Sequence, residues 1–172
     1  MNRNQCSPSI GMGVHDAPEY AMGCMPVDFF QLEAAVYLHD IALMRLPDDK
    51  LGKAALLGSK EDPDHPLLSF EILSQMDYWE EASKIVYQHQ EYFDGTGYPE
   101  KLSGQQICEG AKILAICDAF YSYAHEQNGT RDKKSIVLAI SEVNSGKGTL
   151  FDPAWVARFN QVIKIQHKVG AI

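Results

Sequence analysis

Five residues of this sequence have side chains suited to holding a divalent cation: His39, Asp40, His65, His89 and Asp118. Imidazoles and carboxylates converging from separate helices are the donors that ions such as Mn, Fe, Mg or Zn take. Singly, each residue has an ordinary reading. A second His-Asp pair occurs at His15-Asp16, a histidine on an apolar face commonly belongs to the hydrogen-bonded core, and Asp118 could pair with a lysine or a helix end. Asp118 is the least ordinary. It lies between Cys117 and Ala119 in a run that otherwise reads as core, where an unpaired carboxylate is costly to bury.

Hydrophobic periodicity supplies the elements that must position these residues. From Asp28, the residues Phe29, Leu32, Val36, Ile41 and Leu43 give one apolar helical face that Pro47 ends, so His39 and Asp40 are expected inside a helix. A second helix is expected from Pro66, with Leu67, Phe70, Ile72 and Leu73. Asp77 and Glu80 read as the capping pair of a helix reaching about Tyr92, with Trp79, Ala82, Ile85, Val86 and His89 along one side. Residues 109–126 form a helix that is apolar nearly all round between Ile113 and Phe120, which marks it as central, and it ends near Asn128-Gly129. Helices over 132–144 and 153–168 complete the set, the last opened by Asp152-Pro153. Asp94 to Pro99 must be a loop, and no segment alternates with period two. The expectation is an all-α bundle over residues 28–172, preceded by an arm over 1–27 rich in Gly, Pro, Ser and Met.

A formal charge of −8 argues against binding polymeric nucleic acid through a general basic surface. A small anionic ligand remains compatible, because metal ions reverse the local sign. The longest apolar runs, such as Ala34 to Leu38, fall far short of the roughly 20 residues that span a bilayer. No apolar segment follows Arg3, so the expectation is a cytoplasmic protein with no membrane role. Cys6, Cys24, Cys108 and Cys117 form no CxxC pair and read as free thiols. Gly146-Lys147-Gly148-Thr149 lacks the glycine spacing and preceding strand of a phosphate loop.

The order and spacing of His39-Asp40-Ile41, His65-Pro66, the stretch from His89 through Asp94-Gly95-Thr96-Gly97-Tyr98-Pro99, and Lys112 through Asp118-Ala119-Phe120 resemble the HD-GYP family. The likeness runs from about residue 28 to 160 and includes Phe151-Asp152-Pro153. It implies a compact HD-superfamily helical bundle and a metal-dependent phosphohydrolase akin to cyclic di-GMP phosphodiesterases. It further implies His39, Asp40, His65, His89 and Asp118 as metal ligands, with Asp40 the central catalytic carboxylate, bridging two divalent ions. Paired ions about 3.5–4 Å apart activate water and stabilise phosphoryl charge. By the same resemblance Gly97, Tyr98 and Pro99 shape the substrate entrance, and Lys112 stands where the family has a phosphate-holding arginine.

Departures from the family pattern all touch phosphate or metal handling. Leu43 replaces an expected lysine, and Gln90 replaces the second histidine of a His-His pair, with an amide oxygen that binds metal more weakly. Lys112 keeps the charge of arginine without its two-pronged fork. The arginine-rich turn expected downstream reads only Asn128-Gly129-Thr130-Arg131, and His15 is the one candidate for an extra upstream ligand. Two readings follow. The chain hydrolyses a cyclic dinucleotide or another small phosphoester, or it is a weakened module that binds a nucleotide or a signalling protein through the Gly97-Tyr98-Pro99 loop.

Overall fold

A computed structural model describes residues 27–45, 63–126 and 133–169. The expected arm lies outside these residues except for Val27, as do His15, Cys6, Cys24, Pro47 and the Asn128-Gly129 boundary.

Helix α1 spans Phe29–Leu38, and Asp28 caps it by accepting the N–H groups of Phe30 and Gln31 at 2.9 and 3.2 Å. The expected continuous helix to Pro47 is not formed. The chain turns at His39-Asp40 and resumes as a 3-10 segment over Ile41–Arg45. The buried Ser69 hydroxyl accepts the Ala42 N–H at 3.2 Å, and Leu43 N–H returns to the Asp40 carbonyl at 2.9 Å. These bonds satisfy backbone groups that the broken helix frees. The break also changes which residues are inside. Leu32 and Ala35 face the core, while Phe29 and Val36, expected on the buried face, are exposed.

Helix α2, His65–Leu73, buries His65, Ser69 and Leu73, one residue per turn, and leaves the expected core residues Leu67 and Ile72 exposed. Helix α3 spans Glu80–Gln88, shorter than expected at both ends. Asp77 does not cap it. Gln31 of α1 does so from across the bundle, donating to the Tyr78 carbonyl at 2.7 Å and accepting the Ala82 N–H at 2.9 Å. Ala82, Ile85 and Val86 are buried as their spacing predicts.

Helix α4, Glu109–Glu126, is the central element, although Cys117 and Tyr121 on it are exposed. It packs along α5, Lys133–Ser145, and against α3, α1 and α6, Pro153–Lys168. Asp152 caps α6 through Ala154 N–H at 2.7 Å. Two apolar clusters result, one joining α1, α2, α3 and Leu114 of α4, the other joining Ile116, Val143, Phe151 and Val156. Truncating a residue as buried as Ile85 costs about 2–5 kcal/mol. Among the described residues there is no strand beyond an isolated bridge between Lys147 and Phe151, so the all-α expectation holds. No described helix is long and apolar enough to cross a membrane. Cys108 and Cys117 are free thiols.

Candidate metal centre

His39 and Asp40 occupy the turn that ends α1, His65 opens α2, His89 follows α3 directly, and Asp118 lies in mid-α4. Four of the five residues therefore sit at helix ends. The abrupt stops of α1 and α3 are what aim their side chains inward.

The five side chains converge. Ligand atoms of Asp40, His65 and His89 all lie within 4.8 Å of one another. The two oxygens of Asp40 address different imidazoles, Oδ1 lying 3.6 Å from His65 Nε2 and Oδ2 3.4 Å from His39 Nε2. Asp118 Oδ1 stands 3.7 Å from His39 Nε2 on the other side. His65 and His89 approach Nε2 to Nε2 at 3.1 Å, and the rings of His39 and His89 meet edge to face.

The backbone sets the protonation of two of these rings. His39 Nδ1 is 2.9 Å from the Val36 carbonyl and His89 Nδ1 is 2.6 Å from the Val86 carbonyl. A carbonyl only accepts, so each Nδ1 carries the proton, and each ring in its neutral form turns a bare Nε2 to the cluster. That is the tautomer a metal ligand requires.

Burial dominates the titration of the cluster. It holds His89, with His39 beside it, down at about 3, so that ring is neutral at any ordinary pH. Burial raises the Asp40 carboxyl, against the pull of His39 and His65. For His39 burial is outweighed by Asp118 and Asp40, and the ring is raised. For Asp118 burial is likewise outweighed, chiefly by His39, and the carboxyl is lowered. A positive charge is thus favoured between the two carboxylates. Asp40 Oδ1, meanwhile, is buried without a hydrogen-bond partner. An orphaned carboxylate oxygen grouped with the imidazole nitrogens of His65 and His89 is a donor set that fits a divalent cation and is otherwise costly.

The loop after His89 is tied to this centre through the backbone. Tyr98 N–H donates to the Gln90 carbonyl at 3.1 Å, and the Tyr98–Pro99 peptide is cis. Gly97 is packed so closely that a Cβ there would collide with Tyr92 N and lie 2.6 Å from the Gln90 carbonyl oxygen. Phe93 and Asp94 donate to the carbonyls of Leu150 and Thr149, so the 146–151 turn serves as a backbone support for this loop.

Lys112 has other partners. Its side chain is 2% exposed, and its ammonium lies 2.7 Å from Glu109 Oε1, 3.3 Å from Gln105 Oε1 and 3.5 Å from Asp152 Oδ2. Leu43 is buried, facing away from water. Sequence reasoning overlooked Ser69, Gln31 and Glu91, buried or clamping polar residues that hold the elements in place.

The HD domain family model matches residues 21–155. The chain belongs to the HD-domain family. Among relatives of this HD domain, a cyclic di-GMP phosphodiesterase response regulator of Xanthomonas campestris is 31% identical over 130 residues, covering 73% of this chain and 34% of that protein. A cyclic di-GMP phosphodiesterase of Thermotoga maritima is 29% identical over 148 residues, covering 83% and 40%. A 3'3'-cGAMP-specific phosphodiesterase of Vibrio cholerae is 31% identical over 124 residues, covering 69% and 24%. The chain therefore spans between about a quarter and two-fifths of these relatives. The crystal structure of a cyclic GMP-AMP specific phosphodiesterase of V. cholerae aligns with a TM-score of 0.51 at 16% identity, covering 78% of this chain and 32% of that one, which shows a shared helical fold.

Proposed function

We propose that this HD domain is a metal-dependent phosphodiesterase that cleaves a cyclic dinucleotide, with cyclic di-GMP, for which the relatives of X. campestris and T. maritima are named, as its substrate. The observation that carries this reading is Asp40, whose buried Oδ1 has no hydrogen-bond partner while its two oxygens point towards different imidazoles. His39, Asp40, His65, His89 and Asp118 would hold the ions, a pair of them if both share Asp40. Bound divalent ions would supply a Lewis acid that polarises phosphoryl oxygens and makes water nucleophilic near neutral pH.

The chain's own part is positional. The carbonyls of Val36 and Val86 hold the His39 and His89 rings in the ligating tautomer. Burial keeps His89 neutral. The Gly97-Tyr98-Pro99 segment, tied to Gln90, supplies a shaped surface next to the ligand turn for the rest of the substrate. His15 and Gln90 are secondary ligand candidates in this reading.

A second reading has its own observation. The Lys112 ammonium is enclosed by Glu109, Gln105 and Asp152, and Leu43 is buried, so neither supplies an open phosphate contact. That supports a module that binds a nucleotide or a signalling protein and turns over slowly. The deciding experiment is hydrolysis of cyclic di-GMP by protein loaded with Mn or Fe, beside Asp40→Ala. Turnover of about 1 per second or faster that D40A abolishes supports the enzyme. Retention of turnover by metal-free D40A would refute it.

A further inference from the structure

We propose that Glu91 is the positioning residue of the Gly97-Tyr98-Pro99 segment, its buried carboxylate fixing that segment against the turn that follows His89 so that the loop engages the substrate. The role in substrate capture rests on the hydrolytic reading above; the fixing of the loop does not.

Glu91 is 3% exposed, yet among the described residues its carboxylate pairs with no lysine or arginine and is satisfied by the backbone. Its Oε1 accepts the N–H of Glu100 at 2.6 Å and its Oε2 the N–H of Leu102 at 2.9 Å. Between them Lys101 adopts a left-handed conformation, φ +58°, which lets the flanking N–H groups reach one carboxylate. A concavity of this kind, lined by main-chain N–H groups, ordinarily receives an external anion. Here the chain fills it with its own side chain.

The sequence positions make this contact a lever. Glu91 is two residues after the ligand-type His89, and Glu100 immediately follows Pro99. The carboxylate therefore closes the loop at its far end, while Tyr98 N–H on the Gln90 carbonyl closes it from within. Lys112 lines the same cavity of about 10 Å³ as Glu91, but its ammonium is directed to Glu109, Gln105 and Asp152. Charge-assisted bonds from main-chain N–H groups are the strong kind, and they leave the loop little freedom.

The substitution Glu91→Gln separates this role from space filling. It keeps the shape, but replaces one acceptor by an NH₂ group facing a backbone N–H, where two donors cannot bond. Hydrogen exchange on the Mn-loaded full chain is expected to accelerate about tenfold or more over residues 97–104, with α3 and α4 unchanged. Mn content should stay at the wild-type level. With cyclic di-GMP, KM should rise about tenfold while kcat changes by less than about twofold. Glu91→Ala, which opens the N–H groups to water without a donor clash, should show the same local acceleration if E91Q does not fold. Unchanged exchange, or equal acceleration in every helix, would overturn the proposal, as would a fall in kcat at constant KM. If the wild type hydrolyses nothing while local exchange responds as described, the fixing of the loop stands and the hydrolytic reading falls.

Discussion

His65 and His89 meet Nε2 to Nε2 at 3.1 Å, and because His89 Nδ1 is committed to the Val86 carbonyl, the facing His89 nitrogen is bare. Without a cation, one ring must donate to the other. With a cation between the cluster's donors, both nitrogens become ligands. Divalent metal should therefore stabilise the folded state strongly. Mn at about 100 times its Kd adds about 2.7 kcal/mol, which for a domain of this size raises Tm by about 5–10 °C. Thermal melts with Mn and with excess chelator check this, and coincident melts would contradict it.

Asp40 carries opposite consequences for binding and stability. Asp40→Ala removes a buried oxygen that lacks a hydrogen bond. The chelated variant should be as stable as wild type or up to about 2 kcal/mol more stable, while metal uptake is lost. Urea denaturation and metal analysis on the same preparation test both halves. A destabilised variant that still binds metal would count against the assignment.

The pH dependence follows from His89. Its pKa falls from an ordinary 6.5 to about 3 on folding, chiefly through burial. A depressed histidine favours the fold while neutral, so the contribution is complete above about 6.5 and is lost as pH falls towards about 3. Metal-free wild type should lose stability relative to His89→Gln as pH drops through this window, by up to about 1.4 kcal/mol per unit. Paired urea titrations at several pH values give the difference directly. A difference independent of pH would show that His89 is not buried neutral.

Lys112 should behave as a structural residue. Removing its ammonium by Lys112→Met takes the cation from Glu109 Oε1 and from Oδ2 of the buried Asp152 and should cost about 3 kcal/mol. Metal content should not change. If K112M keeps its stability and loses substrate affinity alone, the lysine reaches phosphate instead.

How much of this was legible in the sequence differs by residue. The ligand types of His39, Asp40, His65, His89 and Asp118 were visible in the sequence, and the resemblance supplied their grouping. The stop of α1 at Leu38 was not legible, because Ile41 and Leu43 continue an apolar pattern across the turn, and the bond from Ala42 to Ser69 that supports the turn crosses between elements. The same holds for the start of α3. Asp77 and Glu80 have cap spacing, but the cap comes from Gln31, 51 residues before Ala82. A single polar residue such as Glu91 leaves no periodic signal, so its burial emerges only when the loop folds back over it. Lys112 was conspicuous in an apolar helix, yet its partner Asp152 lies far along the chain on the cap of α6.

Metal content per chain, measured by mass spectrometry on protein purified without chelator and again after loading with Mn or Fe, tests the central claim most directly. The geometry of Asp40 between His39 and His65 predicts close to two ions per wild-type chain and a loss of both in Asp40→Ala. No bound ion under any loading condition would contradict a metal centre at these five residues.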